Sequence, residues 1–291
     1  MERHYEILEN TKISTSSGYA YRIKATMDLP EHNVKKGDIG GYVSNYYNLN
    51  GNAWVADDAM IVDRARAYDN VLIKDNAIVK DSAIIHDNVC IKDNAVIEGH
   101  AIIYDNAVIG EYANIKDKVK IEGNPEILGI TIIKDNVIVS GNSKIYDKAI
   151  LSENIRVENA IIYGNAILKY GRFTGDIREN LVNYIACSLN ILPINGKYIL
   201  YKRVFKTETK GIYRSYYDPK FIYKDNEIIE VENYDDDFRN SCSSGIHCST
   251  PFYWKKGDTI IAVEVDVKDI ITCKEGKIRA KKVKVLGEVK Y

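Results

Sequence analysis

From Gly51 to Glu158 the chain repeats a six-residue word, D-N-A-x-I-x, without an insertion; these 108 residues make eighteen copies. Residues 73–99 show it plainly: IKDNAIVKDSAIIHDNVCIKDNAVIEG. Alanine or valine fills the third place, as in Ala53, Ala59, Ala65 and Val71, and a larger aliphatic residue fills the fifth, as in Val55, Ile61, Ile73 and Val79. Alternation at places three and five sends both side chains to one side of a short strand. Places one and two hold Asp, Asn, Gly or Ser, the residues that tolerate tight turns and left-handed backbone geometry. A strand of about three residues followed by a corner, repeated, does not make a flat sheet. It coils, each coil pairing with the next at roughly 4.8 Å.

An aliphatic residue followed four places later by a small one, as in Val79 and Ala83 or Ile91 and Ala95, resembles the hexapeptide repeat of left-handed parallel β-helices. The resemblance implies three words per triangular coil, hence eighteen residues per turn. The register slips by one residue after Val157, and two further words carry the rod to about Lys169. The string from Tyr19, with YRI, KKGD-GG and GNAWV in succession, is similar to the start of small phage and prophage proteins with such repeats. It serves as a cap for the exposed end of the array.

After about Gly175 the period disappears. RENLVNYIACSLNIL reads as a connecting helix, and KYILYKRVF, KFIYKDNEIIEV, TIIAVEVDVKDIITC and KIRAKKVKVLGEVKY alternate as strands do. Residues 196–288 resemble a domain that follows pentapeptide-repeat and other phage-related proteins, through YDPKFIYKDNEIIEVENYDDDF, CSSGIH and KIRAKKVKVLGEV. The expected organisation is mainly β: a cap over 1–50, a left-handed β-helix over 51–169, a linker over 170–195 and a small β-rich domain over 196–291.

Forty basic and forty-one acidic residues leave a net charge of −1, so nothing global draws the chain to nucleic acid or to an anionic membrane. The N-terminal segment has no apolar stretch of signal-peptide length, and none approaches a membrane span. The expected location is therefore the cytoplasm, and the phage resemblance implies that of a bacterial host. Five cysteines, odd in number and scattered, fit reduced thiols.

With eighteen residues per coil, outward positions stack in columns. Place four lines up Trp54, Leu72, Cys90 and Val108 on one face, Met60, Ile78 and Val96 on the second, and Ile84, Ile102 and Ile138 on the third. So much outward aliphatic surface points to a cover, and self-association as a trimer, common among enzymes of this fold, is the expected one. Place six stacks Lys80, Glu98, Lys116 and Lys134 on one face and Tyr68, His86 and Tyr104 on another. These columns are candidates for binding a small anionic ligand such as a nucleotide. Equally, stacked aromatics stabilise neighbouring coils and lysines form a solvated face.

Resemblance to hexapeptide acyltransferases makes His86 or His100 a candidate general base. No loop interrupts the words, and the two histidines are not stacked neighbours. NSCSSGIHCSTPFYW is the densest cluster of reactive side chains. Cys242, His247 and Cys248 match no usual zinc spacing, and a turn and strand burying Cys242 and Ile246 is the plainer reading. A fainter resemblance, to ADP-ribosyltransferases, would give roles to Arg203, Ser243 and Glu264 and make the chain NAD-using.

Three functions follow from these features. The first is a non-enzymatic phage-type protein that sequesters a nucleotide-like signal, with no cofactor and no metal. The second is a structural or assembly protein. The third is an enzyme, acyl-CoA-dependent or NAD-using.

Overall fold

A computed structural model describes residues 3–164, 166–175, 180–237, 240 and 242–290. The chain divides into two compact units, Met1–Asp176 and Ile177–Tyr291. No helix among the described residues is long and apolar enough to cross a membrane.

The first unit is a parallel β-solenoid of about seven turns. From Trp54–Val55 to Arg156–Ile162 a strand begins every six residues, and those up to Ile138–Ser140 pair in parallel with the strand eighteen residues on, as Ile84 with Ile102 and Cys90 with Val108. Lys144–Ile145 and Ile150–Leu151 pair seventeen residues on, where the register slips. Places three and five are sealed inside: Ala77, Val79, Ala83, Ile85, Ala95 and Ile97 have no exposed surface. Where the third place is polar, the side chain finds a carbonyl within its own turn. Thr131 Oγ1 donates to Leu128 O at 2.5 Å, and Ser143 Oγ to Ser140 O at 2.7 Å.

The corners explain the Asp-Asn dipeptide. Place-one residues have left-handed φ, for example 61° at Asp75, 59° at Asp93 and 55° at Glu111, a region where Asp costs less than most residues. In the word 75–80, the amides of places two, three, four and six all reach backbone carbonyls: Asn76 to Asp93, Ala77 to Lys74, Ile78 to Ala95 and Lys80 to Ile97. The place-one amide instead donates to the place-one carboxylate of the coil before. Asp75 N reaches Asp57 Oδ2 at 3.1 Å, Asp93 N reaches Asp75 Oδ2 at 3.0 Å, Glu111 N reaches Asp93 Oδ2 at 2.9 Å and Gly129 N reaches Glu111 Oε2 at 3.0 Å. At place two of another corner, Asn52, Asn70, Asn88, Asn106, Asn124 and Asn142 form a second ladder, Nδ2 to Oδ1, at 2.8–3.2 Å.

The N-terminal segment extends one of the solenoid sheets. Tyr5–Ile7, Gly18–Ala25 and Ile39–Val43 pair antiparallel, and the last pairs in parallel with Met60–Ile61. His4 Nε2 and His32 Nε2 donate to the carbonyls of Ala53 and Asn52, at 2.8 and 2.9 Å, so the first word is held on both sides. Gly40 lets the cap strand press close, since a Cβ there would lie 2.7 Å from the Trp54 ring. Trp54 is therefore buried, at 2% exposure, rather than part of an outward column.

The solenoid also runs past Lys169. Arg172–Gly175 pairs in parallel with Arg156–Ile162, with Arg172 sixteen residues after its partner Arg156. This last coil is shorter than eighteen residues and its closing segment, YGRFTG, lacks the D-N-A word, so the strand that ends it is not visible in the sequence period.

The second unit opens with a helix, Leu181–Leu189, and folds into an antiparallel sheet. The order across it is Ile228–Glu230, Lys282–Glu288, Thr259–Asp266, Lys197–Lys206, Ile246–Ser249, Lys277–Ala280 and Ile270–Lys274. Ile212–Arg214 and Ile222–Lys224 form a hairpin off the end of the long Lys197–Lys206 strand. Its core includes Ile185, Tyr198, Leu200, Val204, Val263 and Val285. None of the five cysteines is in a disulfide.

Asp93→Ala removes the acceptor for the Glu111 amide and puts an ordinary side chain in left-handed geometry. The expected loss is about 2–4 kcal/mol, from the orphaned amide and the unfavourable φ together. Asp93→Asn keeps both the acceptor and the tolerance for that φ, and is expected to lose less than about 1 kcal/mol. Chemical denaturation of the two variants checks the order.

Candidate functional site

The outward columns of the solenoid are largely self-satisfied. His86 and Tyr104 stack with centroids 4.9 Å apart and planes 3° from parallel. Tyr68 does not extend the stack; its hydroxyl accepts from Arg66 Nη1 at 3.5 Å. The Tyr104 hydroxyl bonds to Glu122, which also pairs with Lys120 at 2.8 Å. In the lysine column Lys80 pairs with Glu98 at 2.8 Å, and Lys134 lies 4.0 Å from Asp135. Lys116 has no ion pair among the described residues, yet Glu98 and its neighbours leave no continuous cationic stripe. A solvated face with local pairs describes this column better than an anion platform.

His86 Nδ1 lies 2.8 Å from Asp87 Oδ2, while His100 is exposed at a corner. Asp69, His86 and Asp87 bring ligand atoms within 4.8 Å of one another. Both carboxylates already accept amides of the corner ladder, Asp69 from Asp87 N at 3.4 Å and Asp87 from Asp105 N at 3.1 Å.

In the second unit the structure brings together residues scattered over 76 positions, from Lys202 to Lys277, around a cavity of about 720 Å³. Arg203, Ser243 and His247 all line it; Glu264 does not. Glu264 is occupied by Lys197 at 2.8 Å, so the Arg-Ser-Glu constellation of an ADP-ribosyltransferase is not assembled. Cys242 is exposed and lines the cavity, whereas Ile246 and Cys248 are in the core. The plainer expectation is thus right for Ile246 and wrong for Cys242. His247 and Cys248, successive residues of one strand, point to opposite faces and do not converge on a metal.

Five basic residues, Lys202, Arg203, Lys255, Lys256 and Lys277, line this space with one acidic residue, Asp218. Six aromatic rings complete the lining: Tyr216, Tyr217, Phe221, Tyr223, Tyr253 and Trp254. The Arg203 Nε is buried without a hydrogen-bond partner among the described residues, and Nη1 reaches only Gly257 O at 3.4 Å. Lys256 Nζ donates to the Tyr216 hydroxyl at 2.8 Å. One wall is pinned by Arg279, only 1% exposed, which pairs with Asp235 at 3.4 Å and donates to Asp237 O at 2.7 Å. Hydrogen bonds from Ser243 and Asn240, with the Arg279 charge nearby, hold the Asp235 carboxyl well below the usual range. Gly245, at φ 143°, allows that wall to lie on Arg279, because a Cβ would come 2.8 Å from Arg279 Cγ.

Lys202 is the residue that sequence reasoning missed. On the strand Lys197–Lys206 the inward positions are Tyr198, Leu200, Lys202 and Val204, all buried. Its Nζ donates to His247 O at 2.9 Å and lies 5.1 and 5.7 Å from the Trp254 and Tyr223 ring centres. No carboxylate pairs with it among the described residues. Burial pushes its ammonium down to about 8, only partly opposed by Cys248. A lysine on the aliphatic side of an alternating strand was the available signal.

A protein family described as a family of unknown function, DUF5758, matches residues 197–253. Fourteen of the eighteen lining residues fall inside that segment, all but Trp254, Lys255, Lys256 and Lys277. No curated protein matches the chain.

Lys202→Met removes a buried cation and keeps the packing. Below pH 8 the native state carries the full penalty of that charge, so at pH 7 the variant is expected to be the more stable by on the order of 3 kcal/mol, at 1.36 kcal/mol per pKa unit. As pH rises from about 8 toward the unfolded value of 10.5, the folded lysine loses its proton first and the gap closes. Denaturant midpoints of both proteins from pH 7 to 10 check the sign.

Proposed function

We propose that this chain is a binding protein whose second unit takes up an anionic, ring-bearing small molecule of the nucleotide class. The observation that carries the reading is the lining of the 720 Å³ cavity: five cations against one carboxylate, interleaved with six aromatic rings. Rings offer faces to stack a base, and each stack of that kind is worth about 1–3 kcal/mol. The buried Arg203 Nε, which meets no acceptor among the described residues, is a donor that an anion would satisfy. The volume suits a small ligand, since such pockets run to about 300–1,000 Å³.

The solenoid is a scaffold in this reading. It is a hexapeptide-type, left-handed coil that assembles as a cytoplasmic trimer, in a protein of phage or prophage origin that sequesters a nucleotide signal. Support for self-association is the apolar third face, where Ile84 and Ile102 remain 38% and 40% exposed beside one another in adjacent coils. Support for the phage setting is the likeness of the N-terminal segment and the C-terminal domain to such proteins.

Native mass spectrometry of the full chain against a panel of nucleotides reads stoichiometry and ligand together. The expected species is a trimer that gains ligand mass. In isothermal titration, Arg203→Ala is expected to weaken binding by at least about tenfold, the equivalent of about 1.4 kcal/mol. Lys116→Ala and His86→Ala on the solenoid leave affinity unchanged. Flat titrations across the panel sink the reading.

A further inference from the structure

The cavity contains an amine that simple anion binding does not require. Lysines that bind anions are usually hydrated and flexible, whereas Lys202 is 6% exposed and fixed by His247 O at 2.9 Å. Its head group lies near the Trp254 and Tyr223 rings, and its strand neighbours on the same face, Leu200 and Val204, are fully buried aliphatics. No acidic partner compensates the charge among the described residues. Lysines desolvated among apolar and aromatic groups, beside other cations, are the ones that react as neutral amines. Lys202 has such surroundings, with Arg203, Lys255, Lys256 and Lys277 lining the same space.

We infer that Lys202 captures its ligand covalently, as a reversible imine with an aldehyde or ketone that carries an aromatic ring and an anionic group. The inference rests on the anion-and-ring binding proposed for this cavity and adds a second ligand class to it, a carbonyl compound, because the base carbonyls of a nucleotide are amide-like and do not condense with amines. The ammonium first gives a proton to solvent. The freed Nζ lone pair then adds to the carbonyl carbon, and the carbonyl π pair moves to oxygen, which takes up one of the two Nζ protons. The carbinolamine loses its hydroxyl and the remaining Nζ proton as water, leaving C=N. Amine and carbonyl go to imine and water, with no change of oxidation state. Burial supports the chemistry, because an amine brought down to about 8 is neutral in an appreciable fraction at physiological pH, unlike one near 10.5.

The test uses the full chain with pyridoxal 5′-phosphate as the probe, an anionic aromatic aldehyde, and pyridoxine 5′-phosphate as its partner lacking the carbonyl. The aldehyde is added at one equivalent, reduced with cyanoborohydride, and the adduct located by peptide mass spectrometry; the alcohol is followed by titration. The expected result is titratable binding of the alcohol by the unaltered protein and an adduct on Lys202 that is lost in Lys202→Arg, whose circular dichroism spectrum stays that of the unaltered protein. Adducts distributed over exposed lysines, or an adduct pattern unchanged in Lys202→Arg, overturn the inference. Binding of the alcohol by the unaltered protein with no adduct at Lys202 overturns the imine and leaves the binding role standing. Failure of both probes to bind overturns the imine, while the binding role stands or falls with the nucleotide titrations.

Discussion

The solenoid depends on one hydrogen bond, repeated: a place-one carboxylate accepting the place-one amide of the coil eighteen residues later. Strands only two residues long cannot hold a coil by themselves, and a sharp corner is needed every six residues. At that corner the backbone turns through left-handed φ, and the first amide of the word has no carbonyl to meet. Asp answers both needs, tolerating the conformation and supplying a charged acceptor, a combination worth roughly 1.5–3 kcal/mol per corner for the bond to the charged group. Glycine meets only the first. Gly99 and Gly123 accordingly end a run of the ladder, each donating to the Asp beneath but offering nothing to the coil above.

This economy leaves the solenoid little chemistry to spare. Its place-one carboxylates are engaged in corners, one column of its asparagines in a second ladder, and Lys80, Lys120 and Lys134 in local pairs with Glu98, Glu122 and Asp135. The second unit breaks its own rules instead. Among the described residues it sets a lysine with no carboxylate partner on the aliphatic side of its longest strand, buries an arginine nitrogen that meets no acceptor, and gathers aromatic rings around an open space. Each departure costs stability, and departures of this kind concentrate where a protein binds or reacts.

The six-residue period made the solenoid, its inward positions and its coil length legible, because they depend on local alternation that any word displays. The short final coil ending at Gly175 lay beyond that reading, since it abandons the word. Trp54 was misread because its burial comes from the cap strand rather than from its own coil. In the second unit, Arg203, Ser243 and His247 were found as candidates and do share a cavity, while Glu264, one strand away, is turned to Lys197. The cavity itself is a non-local object: Tyr216, Trp254 and Lys277 meet only through the antiparallel sheet and its hairpin. Lys202 alone left a visible mark, a cation at an inward position between Leu200 and Val204.

Hydrogen–deuterium exchange of the full chain, with and without a saturating anionic nucleotide, tests most directly the division between a structural solenoid and a binding unit. Protection confined to segments around Lys202–Tyr223 and Cys242–Gly257, with the solenoid amides unchanged, is the predicted result. Protection along the His86 and Tyr104 column or the Lys80 to Lys134 column, with the second unit unaffected, would contradict it.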